Sequence, residues 1–401
     1  MTDTKQRRTS RGREATRPSG KGSSGRSAAP KRMPKRPIGA RTPAFVALFA
    51  TAMVLTSLGV VMVLSASAAS SITATDSAWS LFRRQLLWVG LGTIAMMVVM
   101  RIDYRRWKNW SGPLLALSFL LLVLVLVPGV GITANGATRW LGIGGLTFQP
   151  SELAKFAVVL FVADLLSRPS RPIDDTRNTF VPVLLVVGSI IGLLALQPHF
   201  GAGLIIGGTV GAMLFLAGIP LRNLLALTAG GVAFSSLMVF PVSWRRRRFF
   251  AFLDPSSDPS GGGFQSLQSL HAITAGGWRG VGLGGSHAKW GFLPFAHTDF
   301  IFAIIAEELG IIGAFGVLVC FVIFGWAGML AALRAPDRFG MLLATGITVW
   351  ILVQAVFNVG AVIAVLPVAG VTLPFLSFGG SSVVVTLGVT GVLLNIARQG
   401  R

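Results

Sequence analysis

Ten long apolar segments, separated by short polar or glycine-rich connections, occupy almost the whole chain from residue 44 to 397. They run 44–67, 84–100, 112–129, 152–167, 180–196, 200–218, 222–241, 299–327, 340–366 and 376–397. A helix needs roughly 17–20 apolar residues to cross the hydrocarbon of a bilayer. Strands of a membrane barrel would alternate with a period of two, and these segments do not. The pattern predicts an all-α, polytopic integral membrane protein with about ten transmembrane helices. The breaks between the fifth, sixth and seventh spans are short, resting on "QPHFG" and "IPLR".

An even number of spans puts both termini on one side, and the distribution of basic residues says which. The connections "RIDYRRWKNW" (101–110), "SRPSRPIDDTRN" (167–178), "IPLR" (219–222) and "RAPDR" (334–338), with the terminal "RQGR", share a side with the N-terminus and are all basic. The positive-inside rule therefore predicts cytoplasmic termini. Arg245, Arg246, Arg247 and Arg248 break the pattern by falling in the long outer loop 242–298.

Composition refines this outline at three points. Only 12% of the 401 residues are charged, against about 25% in soluble domains. The net charge of +21 is concentrated: residues 1–43 carry thirteen Lys and Arg against Asp3 and Glu14. That Ser-, Gly- and Pro-rich stretch is expected to be a disordered basic cytoplasmic tail facing anionic membrane lipid, with no nucleic-acid partner. Cys320 is the single cysteine, so no intrachain disulfide can form.

With this topology the chemically rich connections all face outward. They are "GVGITANGATRWLGIGGLTFQPSELAK" (129–155), "LQPHFGAG" (196–203), the loop 242–298 and "LPVAGVTLPFLSFGGSS" (366–382). A site there has no access to ATP, so synthetic chemistry must use a substrate that arrives activated. Pro150 suits the first turn of the fourth span. Glu152 and Lys155 follow on one helical face, three residues apart. Either Lys155 neutralises Glu152, or Lys155 and Arg139 bind an anionic group such as a phosphate. In "PFAHTDFIFAIIAEELG" (294–310), Thr298 or Asp299 can cap the eighth span. Glu307 and Glu308 diverge by about 100° on the helix, so at least one faces the bundle interior, where Lys289, Arg139 or Lys155 can pair with it. Ionisable groups in such a place are costly and mark function. The segment "SLQSLHAITAGG" reads as a short amphipathic helix, and "FLSFGGSS" as a glycine break before the last span. The four histidines are scattered, so no metal-ligand spacing is present.

"NGATRWL…QPSELAK", "QPHFGAG", "GGSHAKWGFLPFAHTDFIFAIIAEELG" and "PFLSFGGSSVVVTLGVTGVLLNIAR" occur in order along the chain. Together they resemble the SEDS family, whose members include FtsW, RodA and SpoVE, over residues 44–398. "AHTDFIFA" and "FGGSS" are most like its cell-division branch, FtsW. The resemblance implies a ten-helix peptidoglycan glycosyltransferase of the bacterial cytoplasmic membrane that polymerises lipid II at its outer face, at the division septum. It implies a class B penicillin-binding protein and other divisome proteins as partners. Asp299 matches the family's essential aspartate and is expected to be the general base. Arg139 and Lys155 would hold the pyrophosphate, with Glu152, Gln149, Ser286, Lys289, His297 and Thr298 also lining the substrate cavity. Glu307, Glu308, Pro198, Gly379, Gly380 and Ser381 would be structural or supporting. No cofactor is implied beyond a divalent cation, magnesium or manganese, carried with the pyrophosphate. Two positions depart from the family: His199 stands where an aspartate is usual, and Phe295 adjoins a slot that is polar in relatives. A lipid II flippase and a non-catalytic division scaffold are the competing readings. A transporter would need polar groups linking both faces of the membrane.

Overall fold

Every predicted span is a helix in the computed structural model, which describes residues 42–400 apart from 76–78, 135, 144–145 and 170–175. The basic tail lies outside the described residues. In chain order the helices are α1 (Pro43–Thr75), α2 (Ser80–Val99), α3 (Ser111–Val125), α4 (Pro150–Leu166), α5 (Val181–Leu196), α6 (Phe200–Ala217), α7 (Leu221–Val239), α8 (Ser243–Leu253), α9 (Phe264–Gly276), α10 (Ile301–Leu333), α11 (Arg338–Val362) and α12 (Gly380–Gln399). Nine helices among the described residues are long and apolar enough to cross a membrane. The tenth predicted span, α4, has 17 residues and is the innermost of the set: all but Leu153 and Phe161 are buried. It packs against α3, α6 and α11, while α10 lies between α1 and α11 and α12 runs along α2.

Local chemistry sets the ends of these helices. Pro150 opens α4, where its missing N–H costs nothing. Gly218 closes α6 in the left-handed region (φ 90°), its N–H turned back to the carbonyls of Leu214 and Phe215. The other deviation from regular helix lies inside α10. Gly310 adopts φ 70° and ψ −175° and splits the 33-residue helix into a shorter piece, 301–309, and a longer piece, 311–333. The backbone of residues 277–282 fills the break. Val281 and Gly282 donate to the carbonyls of Glu307 and Glu308, and Ile311 donates to Gly277. A side chain on Gly310 would sit 2.4 Å from the Trp278 carbonyl oxygen, so only glycine admits this crossing. The broken backbone is satisfied by protein, as irregular structure in an apolar surrounding must be.

The connection between α3 and α4 departs from the all-helical expectation. It folds into a small antiparallel sheet of β1 (Gly131–Ala134), β2 (Ala137–Ile143) and β3 (Leu146–Phe148), in that order. Ile132 pairs with Trp140 and Thr133 with Thr138, so Arg139 is the extra residue of a bulge on β2. A bulge twists a strand and re-aims the side chain it carries. The long connection before α10 also holds structure: α9 forms where an amphipathic helix is predicted. It packs on α10 and reaches the end of α11, with the Ser269 hydroxyl 2.8 Å from the Val362 carbonyl oxygen.

Candidate active site

Four connections meet at one end of the bundle: the three-stranded sheet, residues 197–199, residues 295–300 and residues 363–379. Arg139 projects from its bulge and donates through Nε to the Gln197 carbonyl oxygen (3.3 Å) and through Nη2 to that of Pro198. Gln197 is itself anchored to the Leu122 carbonyl at 2.8 Å. Asp299 lies opposite. A methyl group placed on Gly370 would be 3.6 Å from Arg139 Nη1 and 3.9 Å from Asp299 Oδ2. The guanidinium and the carboxylate therefore look onto the same small space above Gly370, and both residues are partly exposed.

The backbone that carries Asp299 is sutured residue by residue to the segment before α12. Phe378 N–H donates to the His297 carbonyl (2.9 Å) and the Ser377 hydroxyl to that of Thr298 (2.6 Å). The Asn358 amide donates to the Asp299 carbonyl (2.7 Å) and to that of Val371 (2.8 Å). The expected capping role of Thr298 or Asp299 is not realised. Phe300 is the N-cap of α10 with no side-chain bond, and the Thr298 hydroxyl turns back to the Phe295 carbonyl. The helix starts one residue later than a cap at Asp299 requires, because the chain is held by its carbonyls from the side. His297 packs edge-on to Phe378 (5.8 Å), and burial pushes its imidazole below the ordinary range.

Lys155 and Glu152 occupy a different environment. Their ion pair (2.9 Å) lies inside the protein, with both side chains almost wholly buried. Lys155 Nζ also donates to Gln354 Oε1 at 2.7 Å and sits over the Trp350 ring. Trp350 donates to the same oxygen, and Gln354 Nε2 passes the connection on to the Thr372 carbonyl. A lysine so engaged holds α4 to α11, and the geometry does not support it as a phosphate ligand. Gln149 and Ser381 join the starts of α4 and α12 by a 3.1 Å bond from the Gln149 N–H. Gly380 is required by close packing: a side chain there would meet the Trp88 ring at 2.4 Å. Gly379 is in extended backbone, which any residue can adopt.

Ser286 and Lys289 belong to a second buried cluster with Glu307 and Glu308, and not to the gap at Asp299. Glu307 accepts from the Ser286 hydroxyl (2.5 Å) and from the His287 N–H (2.8 Å). Glu308 accepts from the Ser65 hydroxyl of α1 (2.6 Å) and pairs with Lys289 (3.2 Å). Both carboxylates are buried, although adjacent residues diverge on a helix, because the loop 277–294 wraps over the break at Gly310 and receives each of them. His199 is buried between the two basic groups. Burial and the charges of Arg139 and Lys155 hold its imidazole well below its usual range.

Sequence reasoning missed Gln354, Asn358, Gly370, Thr372 and Ser377. The first two carried a signal: carboxamides four residues apart in the apolar run "WILVQAVFNVGA" share a helical face and require partners. The sheet also had one, the Asn-Gly dipeptide flanked by alternating residues, and Gly136 has the positive φ (74°) such a turn needs.

The family model for the FtsW/RodA/SpoVE cell cycle proteins matches residues 45–401. The chain belongs to this family. It is 42% identical over 360 residues to stage V sporulation protein E of Bacillus subtilis, covering 90% of this chain and 98% of that one. It is 40% identical over 348 residues to a probable peptidoglycan glycosyltransferase FtsW of Geobacter metallireducens, covering 87% and 93%. Among solved structures it superposes, with a TM-score of 0.73 and 33% identity, on a chain of a peptidoglycan synthase complex described as coordinating polymerization and crosslinking. That match covers 88% of this chain and 96% of the other. The family resemblance in sequence is thus matched by a shared fold over most of the chain.

Proposed function

We propose that this chain is a peptidoglycan glycosyltransferase that polymerises lipid II on the outer face of the bacterial cytoplasmic membrane during septal wall synthesis. The observation that carries this reading is the placement of Arg139 and Asp299 on either side of Gly370, partly open, at the end of the bundle where the long connections gather. Two relatives of the preceding subsection support it, one by its name as a glycosyltransferase and one by its place in a synthase complex.

In this mechanism Asp299 accepts the proton of the acceptor sugar's 4-hydroxyl as that oxygen attacks the donor's anomeric carbon. The bond from that carbon to the lipid pyrophosphate breaks, the pyrophosphate leaves with its electron pair, and the configuration inverts to a β-1,4 link. Arg139 stabilises the departing charge, and its fork is already oriented by the carbonyls of Gln197 and Pro198. No group of three or more His, Cys, Asp or Glu among the described residues is placed to hold a metal ion. A divalent cation used by the reaction would be carried by the substrate's pyrophosphate oxygens.

Transport of the lipid is less well supported. On α4 the residues between Lys155 and Asp164 are apolar, and on α11 Thr348 is satisfied by its own helix. We infer that a class B penicillin-binding protein is the crosslinking partner, since the matched structure is that of a synthase complex. The test is polymerisation of purified lipid II by the reconstituted chain with and without that partner. Glycan strands are expected, and a chain that stays folded in the presence of its partner yet makes none would overturn the reading.

A further inference from the structure

Two carboxamides on successive turns of α11 brace the site from behind. Gln354 joins Lys155 to the Thr372 carbonyl. Asn358, one turn on, spends both amide hydrogens on two carbonyls of different segments, Asp299 at 2.7 Å and Val371 at 2.8 Å. A primary amide is the group suited to this task. It offers two donors in one plane from a single nitrogen, whereas a carboxylate offers none and a hydroxyl offers one. Asn358 is buried, and among the described residues its Oδ1 has no hydrogen-bond partner, so its observed bonds are those to the two carbonyls.

The residue before Val371 is Gly370. Its φ of 65° lies in the left-handed region, and the space where its side chain would be is bounded by Arg139 Nη1 and Asp299 Oδ2, with no other atom of the described residues beyond its chain neighbours within 4 Å. One amide thus links the segment carrying Gly370 to the segment carrying Asp299. The glycine leaves the volume between the two charged groups clear. Neighbouring bonds hold His297 and Thr298, and Asn358 reaches the Asp299 carbonyl from the far side.

We propose that Asn358 is the positioning residue of Asp299 and that Gly370 keeps open the slot between Asp299 and Arg139 in which the reacting groups are held. Asn358 touches no substrate; it acts through the backbone of the base. This rests on the reading of the chain as a lipid II polymerase.

Four variants test it in the full-length chain reconstituted with its partner. Asn358→Leu removes both donors at similar size and is expected to lower kcat about 10²-fold, the scale associated with an ångström of misplacement, with KM changed less than about threefold. Gly370→Asn tolerates the left-handed conformation yet fills the slot, and Gly370→Ala adds a methyl group with strain. Both are expected to raise KM for lipid II as well as lower kcat. Gly218→Ala is the strain control: it has φ 90°, no described residue within 4 Å of its added methyl, and no part in the site. It is expected to retain wild-type kcat and KM. Amide hydrogen exchange over residues 297–300 supplies a readout independent of chemistry, and Asn358→Leu is expected to accelerate it while the centre of α4 stays protected.

Wild-type kcat in Asn358→Leu, or unchanged exchange at 297–300, would overturn the positioning role. Wild-type kinetics in Gly370→Asn would overturn the slot. A chain that makes no glycan strands even as wild type would defeat the polymerase reading, and the exchange experiment would still decide whether Asn358 clamps Asp299.

Discussion

A lone carboxylate, Asp299, and a pair, Glu307 and Glu308, sit near the start of α10, eight residues apart in sequence and opposite in character. Glu307 and Glu308 are buried and packed with donors: Ser65, Ser286, Lys289 and the N–H of His287. Asp299 is partly exposed, faces a gap beside a glycine, and is held through its backbone carbonyl while its carboxylate looks toward Arg139. The same side-chain chemistry thus serves two purposes. A carboxylate enclosed by donors ties a loop across a broken helix, and one carried on a braced backbone beside open space is placed to exchange a proton with a ligand. Lys155 and Arg139 repeat the contrast on the basic side, the first enclosed by Glu152, Gln354 and Trp350, the second oriented by two carbonyls at the edge of the gap.

The sharpest way to break this comparison is to neutralise one member of each kind. Asp299→Asn is expected to lower polymerisation by 10²–10⁴-fold, the usual range for a general base, with an unchanged melting temperature. Lipid II turnover and a thermal melt in detergent measure both halves, and full turnover by this variant would remove Asp299 as the base. In the enclosed cluster the effect should fall on stability. Lys289→Met leaves Glu308 buried without its cation, a change that typically costs about 3–5 kcal/mol, and it should lower the melting temperature. Replacing Lys289 and Glu308 together by apolar residues is expected to recover much of that loss.

Arg139→Ala should act at the gap, weakening apparent affinity for lipid II by about 10- to 100-fold, as expected for one charge-assisted contact of roughly 1.5–3 kcal/mol. An unaltered KM would count against a pyrophosphate contact. The smallest effect concerns His199, which lies between the two basic residues. Its folded pKa is depressed, so the unfolded chain takes up a proton below about pH 6.5 while the folded one does not. Stability is full above that pH and falls by about 1.4 kcal/mol for each further unit of acidification until the folded imidazole itself titrates. Melting curves at pH 7.5 and 5.5 should therefore diverge less in His199→Gln than in the wild type.

Helices were legible in the residues because apolar length alone specifies them: an uninterrupted run can satisfy its backbone within itself, and the predicted spans match α1–α7 and α10–α12 to within a few residues at most ends. The small sheet was missed although its Asn-Gly turn was visible, since its strands are three to seven residues long, and so short a run carries a weaker signal than a membrane-spanning apolar one. A different limit applies to Lys155. Its spacing from Glu152 announced an ion pair, but whether a phosphate could reach it depended on Gln354 and Trp350, some two hundred residues away.

The sequence by itself determined the membrane class, the order of the helices, the concentration of polar motifs in a few connections and the family. Each of these follows from composition, period or an ordered string of motifs, which are properties of the chain read locally. Only the tertiary structure decided which charges are enclosed and which face a gap. It showed that Asp299 does not cap α10, that Glu307 and Glu308 bind the loop across Gly310, and that Asn358 and Gly370 flank the space where Arg139 meets Asp299. The reason is physical: whether a charge is satisfied depends on what else the fold brings within about 3 Å of it, and those partners come from distant parts of the chain.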